Sequence, residues 1–354
     1  MKKLLIVRPE GIGDFIIFSA VLEEYTRVFT DFEIHVLCQE STVELAKNIP
    51  FIKRVIGINP SRFRKKYFLY YLYWTFVLCR LEYDEVICPI YSRNLTIDHI
   101  VRLVRSEKKV VFDGDNTNDP HDRIVENNIY FNHVIQSDKN FKKEIDRNME
   151  FINKLGGNLD IKTLKTKVWF SEKNELEFQK LSKKFDLHTQ GYICIAPGFG
   201  FSIKEWEFQN WVEVIKQFLR EHPLFKVVIL GGLKEKVLSG KITQSLFYLQ
   251  DKIVDLTGKV SFVTSTRFIR DARLLVATDT GVIHAAAAVG TTNICVMGGG
   301  HWGRFYPYGD LRKNIIVSYK LDCYGCNWDC IYSEPLCIIN IKPSDVYKRI
   351  KEIL

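Results

Sequence analysis

Each cluster of glycines in this chain comes directly after a short apolar run: Gly11/Gly13, Gly198/Gly200, Gly231/Gly232, Gly281 and Gly298–Gly300. A short apolar strand, a tight glycine turn and then a helical pattern form the repeating unit of a parallel α/β sheet. Ligands of such sheets bind beyond the carboxyl ends of the strands, which is where these glycines stand. The fold class is therefore constrained before any single residue is interpreted.

The clearest instance is ATDTGVIHAAAAVG, residues 277–290. The run Arg273-Leu274-Leu275-Val276-Ala277 reads as a buried strand that stops at Thr278-Asp279-Thr280-Gly281. An alanine-rich helix follows at once, and Asp279 or Thr280 can cap it. Its free N–H groups and dipole favour an anion, with His284 placed near the first turn where a phosphate would sit. An ordinary capped helix is the competing reading.

The same alternation runs through both halves. Leu4–Val7, Glu33–Leu37, Arg54–Ile58, Glu85–Pro89 and Lys109–Phe112 read as strands, with helices over Asp14–Phe29, Thr42–Asn48, Lys65–Leu81 and Leu95–Val104. The polar stretch 113–128 reads as a loop, and Lys142–Leu155 as a helix ending at Gly156-Gly157. After a lysine-rich connection within 160–190, strands recur at Tyr192–Ala196, Lys226–Leu230, Ile253–Leu256, 273–277 and Asn293–Met297. Helices over Asn210–Glu221, Thr264–Asp271 and 281–289 lie between them. Two doubly wound α/β domains are expected: 1–165, 166–342, and a C-terminal helix over 343–354 that packs back on the first domain.

With 354 residues, 46% of them hydrophobic and 13% aromatic, the chain can bury two large cores. Its formal charge of +8 suits phosphorylated substrates or an anionic membrane surface and falls short of a nucleic-acid arm. The opening MKKLLIVRPEGIGD reads as a first strand, since Arg8 interrupts its short apolar part. No apolar run approaches the ~18–20 residues of a membrane span. A cytoplasmic protein with reduced cysteines is expected.

Four local patterns carry chemistry. Asp14 opens the first helix and can cap it or act as a general base; on the residues alone, capping is favoured. Gly198 to Lys204 form a glycine-rich loop with a lysine suited to a diphosphate, without the tripeptide of a Walker A loop; a surface loop is the alternative. Arg62, Arg64, Lys65 and Lys66 precede a dense aromatic run to Trp74, which fits an anionic acceptor, a membrane interface, or a solvated turn leading into a buried helix. Cys323, Cys326, Cys330 and Cys337 are spaced as CxxC-x3-C-x6-C, compatible with a structural zinc site, packed free thiols or a disulfide.

The blocks VRPEGIGDFI, PGFGFSIKEW, DLTGKVSF, TDTGVIHAAAAVGT, GRFYPYG and LDCYGC, in this order and spacing, resemble glycosyltransferase family 9, the ADP-heptose:lipopolysaccharide heptosyltransferases. The resemblance implies a GT-B fold of two Rossmann-like domains facing a cleft. It also implies an inverting sugar transfer that needs no catalytic metal or other cofactor. It makes Asp14 the catalytic base and Lys204 the lysine on the diphosphate. Gly198, Asp279, Thr280, Gly281 and His284 become donor-binding, and Arg62, Arg64, Lys65 and Lys66 acceptor-binding. The family's acidic ribose contact falls about one position away, at Glu235. Expected partners are a nucleotide-sugar, ADP-heptose first, and an anionic lipid-linked glycan at the cytoplasmic face of the inner membrane. A family member using another nucleotide-sugar, or a nucleotide-sugar-binding protein without turnover, is the alternative.

Overall fold

The computed structural model describes residues 1–187 and 191–354, so the end of the 160–190 stretch lies partly outside the described residues. The chain divides into two compact units, Met1–Lys165 and Thr166–Leu354. Among the described residues, each unit is built on one parallel sheet of six strands.

In the first unit the strands are β1 (Lys2–Arg8), β2 (Phe32–Gln39), β3 (Ile52–Ile58), β4 (Glu82–Cys88), β5 (Arg105–Phe112) and β6 (His133–Ile135), in the order β3-β2-β1-β4-β5-β6. In the second they are β7 (Tyr192–Ala196), β8 (Lys226–Ile229), β9 (Ile253–Asp255), β10 (Leu275–Thr278), β11 (Asn293–Val296) and β12 (Asn314–Val317), in the order β12-β11-β10-β7-β8-β9. Both orders reverse beside the unit's first strand, between β1 and β4 and between β7 and β10. That reversal opens a crevice at the carboxyl edge. In the second sheet the central strands are buried throughout, as helices covering both faces require: all five residues of β7 and all four of β10 are buried.

Leu5, Val7, Val86, Ile100 and Val101 lie in the core of the first unit. The second is centred on Trp206 and Trp211, whose rings meet edge to face at 4.8 Å. Trp206 is fully buried and its indole N–H donates to the Ile341 carbonyl at 2.8 Å.

Several elements depart from the sequence expectation. The first long helix is two, Ile12–Phe18 and Leu22–Val28, broken at Ser19, whose hydroxyl donates back to the Ile16 carbonyl. The stretch 113–128 contains a helix, His121–Asn127, and is followed by β6. A helix over Glu172–Lys184, capped by Ser171 and Asn174, occupies the expected connection. The C-terminal helix Pro343–Ile353 lies in the second unit, with Val346, Tyr347 and Ile350 in that unit's core.

Candidate active site

In the second unit, the site residues gather at the carboxyl edge on both sides of the reversal. β7 leads into the glycine loop and a single turn, Ser202–Lys204, that delivers the lysine. β10 ends at Thr278, and Asp279 follows. Lys204 Nζ lies 2.8 Å from Asp279 Oδ2 and 3.4 Å from the Asp279 carbonyl oxygen. Both residues are buried, so each charge depends on the other for compensation. Asp279 therefore pairs with the lysine instead of capping the helix. The Thr278 hydroxyl donates to the Gly198 carbonyl and ties the two loops together.

Thr280 is the N-cap of the helix Gly281–Val289, in extended conformation and, among the described residues, with no side-chain cap hydrogen bond. The first turn holds no acidic residue. Its N–H groups and dipole thus remain suited to an anion. Gly290, at φ +77°, closes the other end as a left-handed cap that favours glycine.

His284 stands one turn into this helix and is buried. Its Nδ1 lies 3.2 Å from the Tyr308 hydroxyl, and the two rings stack at 5.7 Å. Burial pushes the imidazole down to about 4, with Asp279 opposing and Lys204 adding to the fall. His284 is a neutral, fixed ring and not a second cation for phosphate.

Glu235 ends the turn Leu233–Glu235 after β8, and its Oε2 accepts the Gly232 N–H at 2.8 Å. A Cβ on Gly198 would come 2.7 Å from Glu235 Cγ, and one on Gly231 would come 3.0 Å from Glu235 Cβ. The displaced carboxylate thus leans over two glycine loops.

Sequence reasoning singled out the tail's cysteines but not its packing beside Lys204. Segment 321–330 folds onto Gly298–Gly300, with Gly325 N–H donating to the Gly299 carbonyl and Asn327 N–H to that of Gly300, both at 2.9 Å. Trp328 and Tyr324 lie so close to Gly300 and Gly299 that side chains there would collide with the rings. The Lys204 ammonium sits 4.9 Å from the Trp328 ring centroid, and His301 Nε2 lies 2.7 Å from Asn327 Oδ1. Three glycines in a row after a strand were the available signal: such a run marks close approach. The four tail cysteines are free, with Cys337 buried. The Cys337 thiol is pushed up by burial and by Cys323, Cys326 and Cys330, against a bond from Gly299. Among the described residues, no three His, Cys, Asp or Glu side chains form a metal-ligating group.

In the first unit, Asp14 lies half-buried in the first turn of the helix Ile12–Phe18, beyond the carboxyl end of β1. The N-cap is Gly11, not Asp14, so the capping preference read from the residues fails. Beneath it lies Arg8, wholly buried. Its Nη1 donates to the Pro89 carbonyl and Asn148 Oδ1 at 2.9 Å, its Nη2 to Glu144 Oε1 at 3.2 Å, and its Nε lies 2.8 Å from Glu10 Oε2. Burial pulls the guanidinium pKa down, but Glu10, Glu144 and Asp14 more than offset it. The cation that shares the field of Asp14 was not singled out in the sequence. Arg62, Arg64, Lys65 and Lys66 are all exposed after β3, with the Arg62 guanidinium 4.7 Å from the Tyr70 ring centroid.

The sequence pattern of glycosyltransferase family 9 (heptosyltransferase) matches residues 100–328, well over half of the chain. The chain belongs to glycosyltransferase family 9. This family 9 enzyme is 23% identical to lipopolysaccharide heptosyltransferase 1 of Campylobacter coli, across 99% of this chain and 98% of that one. It is 21% identical to lipooligosaccharide heptosyltransferase 2 of Campylobacter jejuni, with the same shares covered. A family 9 glycosyltransferase from Veillonella parvula superposes with a TM-score of 0.76 at 16% identity, covering 99% of this chain and 97% of that one. The E. coli heptosyltransferase WaaC, solved with ADP-2-deoxy-2-fluoro heptose, gives 0.70 at 18% identity, with 99% of each chain covered. The fold is thus GT-B, with a Rossmann-like sheet in each unit.

Proposed function

We propose that this family 9 glycosyltransferase transfers heptose from ADP-heptose to the core of a lipopolysaccharide or a related lipid-linked glycan, with inversion at the anomeric carbon. The carrying observation is the buried Lys204–Asp279 pair at the open N-terminus of the helix Gly281–Val289. A fixed cation and a row of oriented N–H groups suit a diphosphate that becomes a leaving group. Glu235, over the Gly198 and Gly231 loops, suits a ribose hydroxyl. The names of the Campylobacter relatives and the donor analogue in the E. coli structure support heptose and ADP.

In this reading Asp14 accepts the proton of the acceptor hydroxyl. That oxygen attacks the anomeric carbon, and the bond from this carbon to the diphosphate oxygen breaks with its electron pair. ADP leaves, its charge offset by Lys204 and the helix N-terminus. No step is routed through a metal. The four exposed cations Arg62, Arg64, Lys65 and Lys66 meet phosphate or carboxylate groups of the acceptor. A lipid-linked acceptor places the reaction at the cytoplasmic face of the inner membrane, with the enzyme held there peripherally.

The test is a transfer assay on Asp14→Asn. A missing general base should lower kcat by a factor on the order of 10²–10⁴ while ADP-heptose affinity is kept. Near-normal turnover removes Asp14 as the base.

A structural metal on Cys323, Cys326, Cys330 and Cys337 is proposed from their spacing alone. Metal analysis of untagged protein tests it: one zinc per chain supports the site, and a substoichiometric amount rejects it.

A further inference from the structure

The helix Phe68–Leu78 is apolar all round: from Tyr67 to Cys79 there is no charged residue. A surface helix of a soluble domain ordinarily turns a polar face outward. Here the outward face is Phe68, Leu69, Leu72, Tyr73 and Phe76, with Leu69 81% and Phe68 61% exposed. The spacing i, i+1, i+4, i+5, i+8 puts all five on one stripe.

The opposite face is firmly seated. Tyr70, Tyr71 and Trp74 pack on the core of the first unit. The Tyr70 hydroxyl donates to Glu40 Oε1 at 3.0 Å and accepts the Asn59 N–H at 2.7 Å. The Tyr71 hydroxyl lies 3.0 Å from His99 Nε2. The apolar stripe is therefore held outward by the fold.

Charge identifies the occupant. From Ser61 to Leu81 the chain carries five cations, Arg62, Arg64, Lys65, Lys66 and Arg80, and no acid. Arg80 lays its guanidinium on the Phe76 ring, 3.2 Å from the centroid. Glu40, the acid bonded to this helix, is on the seated side. A second copy meeting this face about a two-fold axis would oppose like charges across the contact, because the same patch faces itself. An anionic lipid surface offers both what the aromatic stripe needs and what the cations need. At 11 residues the helix is too short to cross a bilayer and has the length to lie in its interface.

We infer that this helix and its flanking cations dock the enzyme onto an anionic bilayer, with Phe68, Leu69, Leu72, Tyr73 and Phe76 in the headgroup–acyl boundary. The inference rests on the proposed lipid-linked acceptor for its biological sense, and its vesicle-binding test uses neither donor nor acceptor. The full chain is sedimented with vesicles of phosphatidylcholine alone and with added phosphatidylglycerol. The wild type should pellet with the anionic vesicles and be released by salt. A triple variant, Leu69→Ser, Leu72→Ser and Phe76→Ser, should bind them about tenfold more weakly or worse. Its melting temperature and its turnover on a delipidated, water-soluble acceptor should match the wild type. Arg80→Glu, which leaves the apolar stripe in place, should weaken only the anionic-vesicle binding.

Wild-type protein that stays in the supernatant with anionic vesicles overturns the inference. So does a triple variant that binds like the wild type, or a wild-type dimer that this variant dissociates. Vesicle binding without heptose transfer would leave the docking face standing and reject only the proposed reaction.

Discussion

At the scale of single residues, the second-unit site depends on buried charges that are either paired or suppressed. Lys204 and Asp279 form a buried ion pair at 2.8 Å in which each offsets the cost of burying the other. His284 has no such partner strong enough, and burial keeps it neutral. Its folded pKa, about 4, lies below the unfolded value of about 6.5, so between these the unfolded chain binds more protons. Stability from this group is complete above about pH 6.5 and is lost as the pH falls through about 4. Urea midpoints measured from pH 4 to 8 should therefore rise with pH and then level off, and His284→Asn should remove that component. An unchanged profile in the variant would mean that other groups set the slope.

The residues of this site were partly legible in advance. Lys204 and Asp279 could be placed because glycine turns after strands fix where the following side chain must go, whereas Glu235 came only from the family resemblance. The Lys204–Asp279 bond was not legible, since a carboxylate beside a helix start reads first as a cap. Arg8 was also missed: an arginine at the end of a strand reads as an exit to solvent, and the buried partners Glu144 and Asn148 are about 140 positions away.

At the scale of elements, long apolar runs were readable and short or half-buried ones were not. β6 has three residues and β12 four, and β12 is only partly buried at the sheet edge, so neither has enough periods to stand out. The tail had no periodicity at all. Its place follows from Gly298–Gly300, which allow the Tyr324 and Trp328 rings to lie on bare backbone. A side chain at Gly300 must displace the Trp328 ring against which Lys204 lies. Gly300→Ala should cost about 1–3 kcal/mol and loosen ADP binding, because overpacking displaces both ring and lysine. Thermal melting and nucleotide titration check this, and a variant as stable and as tight as the wild type would contradict it.

At the scale of the whole molecule, the two units repeat one sheet order and put chemistry at the same place in it. In each, the first strand ends beside the reversal and leads to a residue given a role in the proposed reaction: Asp14 after β1 and Lys204 after β7. This was readable because parallel βα units leave few topologies. The proposed division of labour was less so: it rests on the family resemblance and on the open N-terminus of the helix Gly281–Val289.

In the proposed reaction the second unit is an ADP-heptose site organised by Lys204. Calorimetric titration of wild type and Lys204→Ala with ADP-heptose, UDP-sugars and GDP-sugars tests it directly. The wild type should bind ADP-heptose in preference to the others, and Lys204→Ala should bind it roughly 10–100-fold more weakly, the loss of a charge-assisted contact. Binding of only a UDP- or GDP-sugar, or equal ADP-heptose affinity in the variant, would contradict the claim.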